Sequence, residues 1–436
     1  MSVSTALNLP SVEERHVMSK MAWRLMPILV VMFLISFIDR QNVSFAKLQM
    51  AHSLGLTEAA FGLASSLFFI GYLLFEVPST LALHRFGARV WLARIMLTWG
   101  AITVLMGFTT SMTVFCVLRF ALGVAEAGFY PGVIYYLTLW FPQSYRARVL
   151  GVFTLGSALA NMLGSLLGGW LLSLNGAGGL EGWQWVFIAT GLPAVLVAIA
   201  AFRLLPASLH EARFLNPREK QVALAALERE SPADAAHEHP WKALTDLRVL
   251  LFAATYMLMS TSLYGVTYWL PTLVKSFGVS STTNGFLSML PWGIAVLLLL
   301  YLPAKLRRAK GVLKAMAWVA GLGVLGFTCS LLLPTTPLRF IALVLGGSCI
   351  PLLYPCFWSM PPRYFSGARA AASVAAINSI GNLGGFFSQN LMPIVGKSSG
   401  TAFGPMIVPI VCLAILGIGA MVAWFRTERR LIVANA

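Results

Sequence analysis

Apolar runs of bilayer-spanning length recur along this chain at about 23–45, 58–83, 90–110, 113–138, 147–172, 183–205, 247–270, 282–303, 312–333, 338–360, 371–393 and 401–425. Crossing the roughly 30 Å hydrocarbon core takes about 20 apolar residues in a helix, so each run is a transmembrane helix. Lipid offers no partner to backbone amides and carbonyls, and the helix supplies them internally. The order is six runs, a polar gap, then six. With 58% of its 436 residues hydrophobic and 11% charged, the chain lacks the polar surface that soluble domains need. The first run exceeds a signal peptide's apolar region and lacks a small-residue cleavage site, so it stays as a helix. The expected fold is an all-α integral membrane protein of twelve helices in two pseudo-symmetric six-helix bundles, 1–206 and 246–436, joined by a cytoplasmic linker at 207–245.

The net charge of +16 follows this topology. With the N-terminus inside, the inner segments collect Arg15, Lys20, Arg24, Arg85, Arg89, Arg94, Arg146 and Arg148. The linker and later inner segments add Arg203, Arg213, Arg218, Lys220, Arg229, Lys242, Arg248, Lys305, Arg307, Arg308, Lys310, Lys314, Arg363, Arg369, Arg426, Arg429 and Arg430. Outer loops hold only Lys47, Lys275, Arg339 and Lys397. Twenty-five cations against four place both termini in the cytoplasm. The basic excess therefore needs no nucleic-acid partner. Within the linker, Asn216 as N-cap and Pro217 at the first helical position open an amphipathic surface helix from Arg218 to Glu230, its charges a solvated face.

The halves echo each other. Gly128-Phe129-Tyr130-Pro131 has a counterpart in Leu352-Leu353-Tyr354-Pro355. The separation from Arg148 to Asn161 equals that from Arg369 to Asn382, and Gly164 and Gly385 follow at the same distance. Two six-helix repeats leave such a trace.

Ionisable residues inside the spans carry the chemistry, because a charge at mid-helix costs about 2.5–3.5 kcal/mol and persists with a partner or a function. They are Asp39, Arg40, Glu76, Arg119 and Glu126. Arg119 and Glu126 share a helix face about 10 Å apart in rise, so each needs a partner from another helix. Asp39 comes to the depth of Arg119, and a contact between them is expected. Glu126 is left near the midplane, where desolvation disfavours charge and makes a carboxyl group a candidate proton carrier. The alternative is a static ion pair bracing the first and fourth helices. Arg40 is rotated about 100° from Asp39. Its planar fork suits capture of a carboxylate and makes it the candidate substrate anchor, against simple snorkelling to the outer interface. Tyr72 either donates to an anion or packs, and Glu76 is expected to brace the basic inner loop. In the eleventh span Asn378 and Asn382 share a face with Ser373 upstream and Gly381, Gly384 and Gly385 beside them, either as substrate donors or as interhelical glue. Gly156, Ala160, Gly164 and Gly168 form a packing stripe in the fifth span, and Asn161 beside it serves either that packing or the substrate.

Three patterns carry no site. Gly321 to Gly326 reads as a dinucleotide fingerprint but lies inside an apolar span. His237-Glu238-His239 lacks the helical spacing of a zinc site. Cys116, Cys329, Cys349, Cys356 and Cys412 lack paired spacing. No phosphate-binding lysine loop exists in the sequence, which leaves an ion gradient as the energy source.

These residues resemble the anion:cation symporters of the major facilitator superfamily, most closely the tartrate and phthalate permease type. The likeness spans nearly the whole chain. It rests on Ile38-Asp39-Arg40, Glu76-Val77-Pro78-Ser79, Arg85-Phe86-Gly87-Ala88-Arg89, Arg119 through Glu126-Ala127-Gly128-Phe129-Tyr130-Pro131-Gly132, Trp140-Phe141-Pro142 with Arg146 and Arg148, Gly182-Trp183-Gln184-Trp185 and Gly191-Leu192-Pro193. It implies two bundles around a cavity that opens alternately to either side, and import of an organic anion with protons. It also implies Asp39 and Glu126 as the protonatable pair beside Arg119, Arg40 on the substrate carboxylate, and Tyr72 and Asn382 around the substrate. Gating falls to Glu76, Arg85, Arg89 and Arg146. Thr80 and His84 stand where the superfamily's loop motif has Gly and Asp, which weakens transfer of that loop's contacts. The expected protein is a bacterial inner-membrane symporter for a small carboxylate, monomeric, without an enzyme's nucleophile or metal cluster, and with protons in place of a cofactor. The rival is a proton-driven efflux antiporter for amphipathic compounds.

Overall fold

A computed structural model describes residues 11–229, 246–301, 309–365 and 367–434. Lys242, Lys305, Arg307, Arg308 and the His237-Glu238-His239 stretch lie outside them. Among the described residues the chain is helical without strands. The first half comprises α1 (Val12–Ser53), α2 (Glu58–Phe86), α3 (Ala88–Met106), α4 (Met112–Glu126), α5 (Phe129–Thr138), α6 (Gln143–Leu172) and α7 (Gly182–Leu204). The linker helix is α8 (Pro217–Glu228). The second half comprises α9 (Leu247–Lys275), α10 (Ser281–Tyr301), α11 (Ala309–Leu332), α12 (Thr336–Trp358), the short α13 (Pro361–Tyr364), α14 (Gly367–Ser399) and α15 (Ile407–Ala434).

Every expected span is a helix, and three differ instructively. At 42 residues, α1 is about 63 Å long, twice the bilayer core, so its first turns project into water. The fourth span is broken into α4 and α5 by Gly128, whose φ of 82° no side-chain-bearing residue adopts readily. A Cβ there would also press on the Ser79 side chain. Eleven spans are apolar enough to cross a membrane on composition alone. α14 is not among them: Ser373, Asn378, Asn382, Ser388 and Gln389 lower its hydropathy, most of them buried where it packs against α9 and α2, while Phe387, Leu391 and Ile394 are exposed.

Each half has its own core pairs, α1 with α6 and α3 with α7 in the first, α9 with α14 and α11 with α12 in the second. The Gly156, Gly164 and Gly168 stripe lies on Phe33, Gln41 and Phe45 of α1, as a packing stripe should. The Gly321–Gly326 stretch is plain α11 helix. The halves meet along three seams, α1 with α9, α2 with α14, and α6 with α10.

α8 begins with a full capping box, Asn216 Oδ1 accepting from the Glu219 amide at 2.8 Å and Glu219 Oε2 accepting from the Asn216 amide at 2.8 Å. Its charges are more than a solvated face. Lys20 reaches Glu219 at 2.8 Å, Arg218 reaches Glu13 at 2.6 Å and Arg229 reaches Glu14 at 2.6 Å, clamping α8 to the projecting turns of α1.

Candidate substrate and proton site

A central cavity of about 100 Å³ lies between the halves. Arg40, Tyr72 and Asn161 line it from the first half, with Asn378 and Asn382 from the second. The echoed motifs converge here, since Tyr130 and Tyr354 face the same space.

The central contact is an ion pair. Arg40 Nε donates to Glu126 Oε1 at 2.6 Å, Nη2 lies 2.6 Å from the same oxygen, and Nη1 donates to the Tyr264 hydroxyl at 3.2 Å. The guanidinium carbon sits 5.2 Å from the Tyr72 ring centre and 5.6 Å from that of Phe68, within cation–π range. Glu126 is fully buried behind Arg40, and its Oε2 has no hydrogen-bond partner among the described residues. Arg40 therefore spans the site, fixed by an acid of its own half and a tyrosine of the other.

Asp39 turns away from this axis, as its rotation on the helix dictates. Its Oδ1 accepts from Asn42 Nδ2 at 3.1 Å, and Asn42 also donates to Thr190 at 3.0 Å. The expected Asp39–Arg119 ion pair is not formed. Arg119 donates instead to the Ser65 carbonyl at 3.2 Å and lies over the Phe68 ring. Arg119 therefore makes no ion pair with either acid among the described residues, and any influence it has on them is through space. Burial in the helix bundle lets those charges interact without contact.

Glu76 departs from expectation too. It does not brace the basic loop, but accepts from Asn378 Nδ2 at 3.2 Å and from the Ser379 hydroxyl, across the α2–α14 seam. Phe69 and Glu76 are seven residues apart on one face of α2, and Gly385 and Asn378 are seven apart on α14. The helices run antiparallel, so Phe69 packs on Gly385 while Glu76 meets Asn378. Ser373 is buried one turn from Asn378, outside the cavity lining. Arg85 is exposed over Phe86, Arg89 pairs with Glu211 at 3.2 Å, and Arg146 is half-buried. None of these three contacts Glu76.

Two groups escaped the sequence reading. The aromatic lining from the second half, Tyr256, Tyr264, Trp292 and Trp358, was readable only as apolar helix. Lys47 belongs to no loop. It is buried at the end of α1, paired with Glu58, with its ammonium 3.8 Å from the Trp269 ring centre and 3.4 Å from the Thr272 hydroxyl.

Buried charges around a cavity between two helical halves are the arrangement of a multi-pass membrane carrier, and the comparisons with known proteins give the same class. The chain belongs to the Major Facilitator Superfamily, whose family description matches residues 29–389. It is similar to a quinolone resistance transporter of Acinetobacter baumannii, 41% identical over 86% of this chain and 87% of that one. It is also similar to a putative tartrate transporter of Agrobacterium vitis, 37% identical over 90% and 87%. A putative metabolite transport protein, NicT, of Pseudomonas putida is 35% identical over 91% of each. Among solved structures, a bacterial homologue of the human lysosomal transporter Spinster, inward-facing and occupied, superposes with a TM-score of 0.68 at 16% identity, covering 93% of this chain and 96% of that one. A D-xylose–proton symporter gives 0.67 at 14%, covering 91% and 97%. These two likenesses concern the fold.

Proposed function

We propose that this transporter imports a small organic carboxylate together with protons, Arg40 serving as anchor and Glu126, with Asp39 and Arg119, as the proton-coupling group. The Arg40–Glu126 ion pair carries this reading. A substrate carboxylate docking on Arg40 meets the charge of Glu126 on the same guanidinium. Two such charges about 4 Å apart repel by about 4 kcal/mol at an effective dielectric of 20, roughly a thousandfold in affinity. Protonation of Glu126 removes that penalty and frees the fork, so proton and anion enter as a neutral set. Release of the proton on the other side restores the internal pair and expels the anion. The halves, taken as 1–206 and 246–436, rock about the loaded site.

Tyr72, Asn161, Asn378 and Asn382 supply hydroxyl and amide groups suited to a hydroxy-dicarboxylate or sugar acid, and the aromatic wall suits an aromatic acid. The names of the tartrate and NicT relatives support an organic anion. The bacterial relatives support an inner-membrane protein, the placement of cations supports both termini in the cytoplasm, and a monomer suffices for the site. The quinolone resistance relative favours a second reading, proton-driven efflux of an amphipathic compound through the same residues.

A thermal-shift screen of hydroxy-diacids, sugar acids, aromatic acids and quinolones identifies the ligand. In proteoliposomes Glu126→Gln is expected to abolish pH-driven accumulation while sparing exchange, and retained uphill uptake would refute the coupling role. Arg40→Ala is expected to weaken binding about 10- to 100-fold, the loss of a charge-assisted hydrogen-bonded pair. Unchanged affinity would remove Arg40 as anchor. Flux in inverted vesicles separates import from efflux.

A further inference from the structure

We propose a second anion site, in which the phosphodiester headgroup of an anionic phospholipid is held where α1, α3, α7 and α8 meet at the membrane surface. A pocket of about 620 Å³ opens there, within the range of about 300–1,000 Å³ of small-molecule sites and apart from the transport cavity. Its wall carries Arg24, Arg89, Arg203, Arg213 and Lys220 against one acid, Glu211, so five cations less one anion leave a charge of +4.

Neighbouring acids do not neutralise it. Glu13, Glu14 and Glu219 are engaged by Arg218, Arg229 and Lys20, and Glu211 by Arg89. Lys220 spends one proton on the His210 carbonyl at 2.7 Å. Arg24, Arg203 and Arg213 have no carboxylate partner among the described residues. Guanidiniums gathered from separate elements face one void together, and their forks match phosphate oxygens.

The surroundings distinguish a lipid from free phosphate. Each unpaired arginine of the helices is flanked in sequence by a large apolar side chain exposed on the surface, Trp23 at 80% beside Arg24, and Phe202 at 50% and Leu204 at 59% about Arg203. α7 ends at Leu204, so these groups sit where a membrane helix leaves the bilayer. An acyl chain can lie on them while its headgroup enters the pocket, the arrangement that basic pockets at a membrane surface favour.

The test is native mass spectrometry of the full-length protein in detergent with added phosphatidylglycerol, phosphatidylcholine or inorganic phosphate. Phosphatidylglycerol is expected to be retained at least tenfold over phosphatidylcholine, and Arg203→Gln with Arg213→Gln to cut that retention about 30-fold, from the usual worth of two surface cations toward anionic lipid. Arg24→Gln alone, on an exposed residue, is expected to cut it about fivefold and stands independently if the double variant misfolds. Equal retention of the two lipids, retention unchanged in the variants, or displacement of phosphatidylglycerol by an equal concentration of inorganic phosphate would each overturn the proposal.

Discussion

Arg40 and Lys47 lie seven residues apart on α1, so one helix face presents both cations to α9. Arg40 reaches Tyr264, and two turns later Lys47 reaches Trp269 and Thr272. The first belongs to the cavity and the second to the α1–α9 seam beyond it. Lys47 is buried whereas Glu58 is half-exposed, so the aromatic face contributes more than the ion pair. A desolvated cation–π contact is worth about 2 kcal/mol and a solvent-screened pair about 0–1. Lys47→Ala is therefore expected to lower stability by about 2 kcal/mol and Glu58→Gln by less than about 1, read from thermal unfolding in one detergent. Equal losses would show that the carboxylate carries the contact.

α8 illustrates how an element too short to be stable alone is held by its ends. Its twelve residues fall near the lower limit for an isolated helix, and the capping box with three ion pairs to α1 supplies the remainder. The Lys20 ammonium and the Asn216 amide hold the Glu219 carboxyl below the usual carboxylate range. A lowered pKa stabilises the docked state above the unfolded value, and that contribution disappears as pH falls through the folded value. A spin label at Gln221 is expected to stay immobile at neutral pH and to gain mobility on acidification below the ordinary carboxylate range. Lys20→Gln should weaken that pH dependence, leaving the part that the Asn216 cap and the Glu13 and Glu14 pairs carry. Mobility unaffected by pH would show that apolar contacts through Ala223 and Ala226 suffice.

At the scale of the molecule, the two halves touch most closely at the end opposite the basic loops. Gly169 of α6 and Gly285 of α10 approach so nearly that a Cβ on either would fall 2.6–2.7 Å from the other helix's backbone. Gly62 of α2 meets the Gln389 backbone of α14 in the same manner. Such backbone-to-backbone packing lets the two halves approach closely at this end, while the Glu76 hydrogen bonds to Asn378 and Ser379 join them further along the α2–α14 seam. Gly285→Leu is expected to wedge this end open. A cysteine placed at Ser157 should then react faster with an impermeant thiol reagent added to right-side-out vesicles, while uptake falls. Unchanged labelling would place the pivot elsewhere.

The twelve helices, the linker helix with its cap, the packing stripe and the identity of the buried charges were all readable from residue order, because lipid imposes hydrophobic length and penalises every charge it meets. Pairing was not readable. Asp39 and Arg40 are sequence neighbours sent to different partners by a rotation of one residue. Glu126 turned to Arg40 instead of waiting alone at the midplane, and Glu76 to α14 instead of the basic loop. Lys47 counted as a loop cation until α1 proved long enough to carry it into the seam. Those choices depend on which helix faces oppose each other across the two halves, a property of packing between distant segments that no local spacing contains.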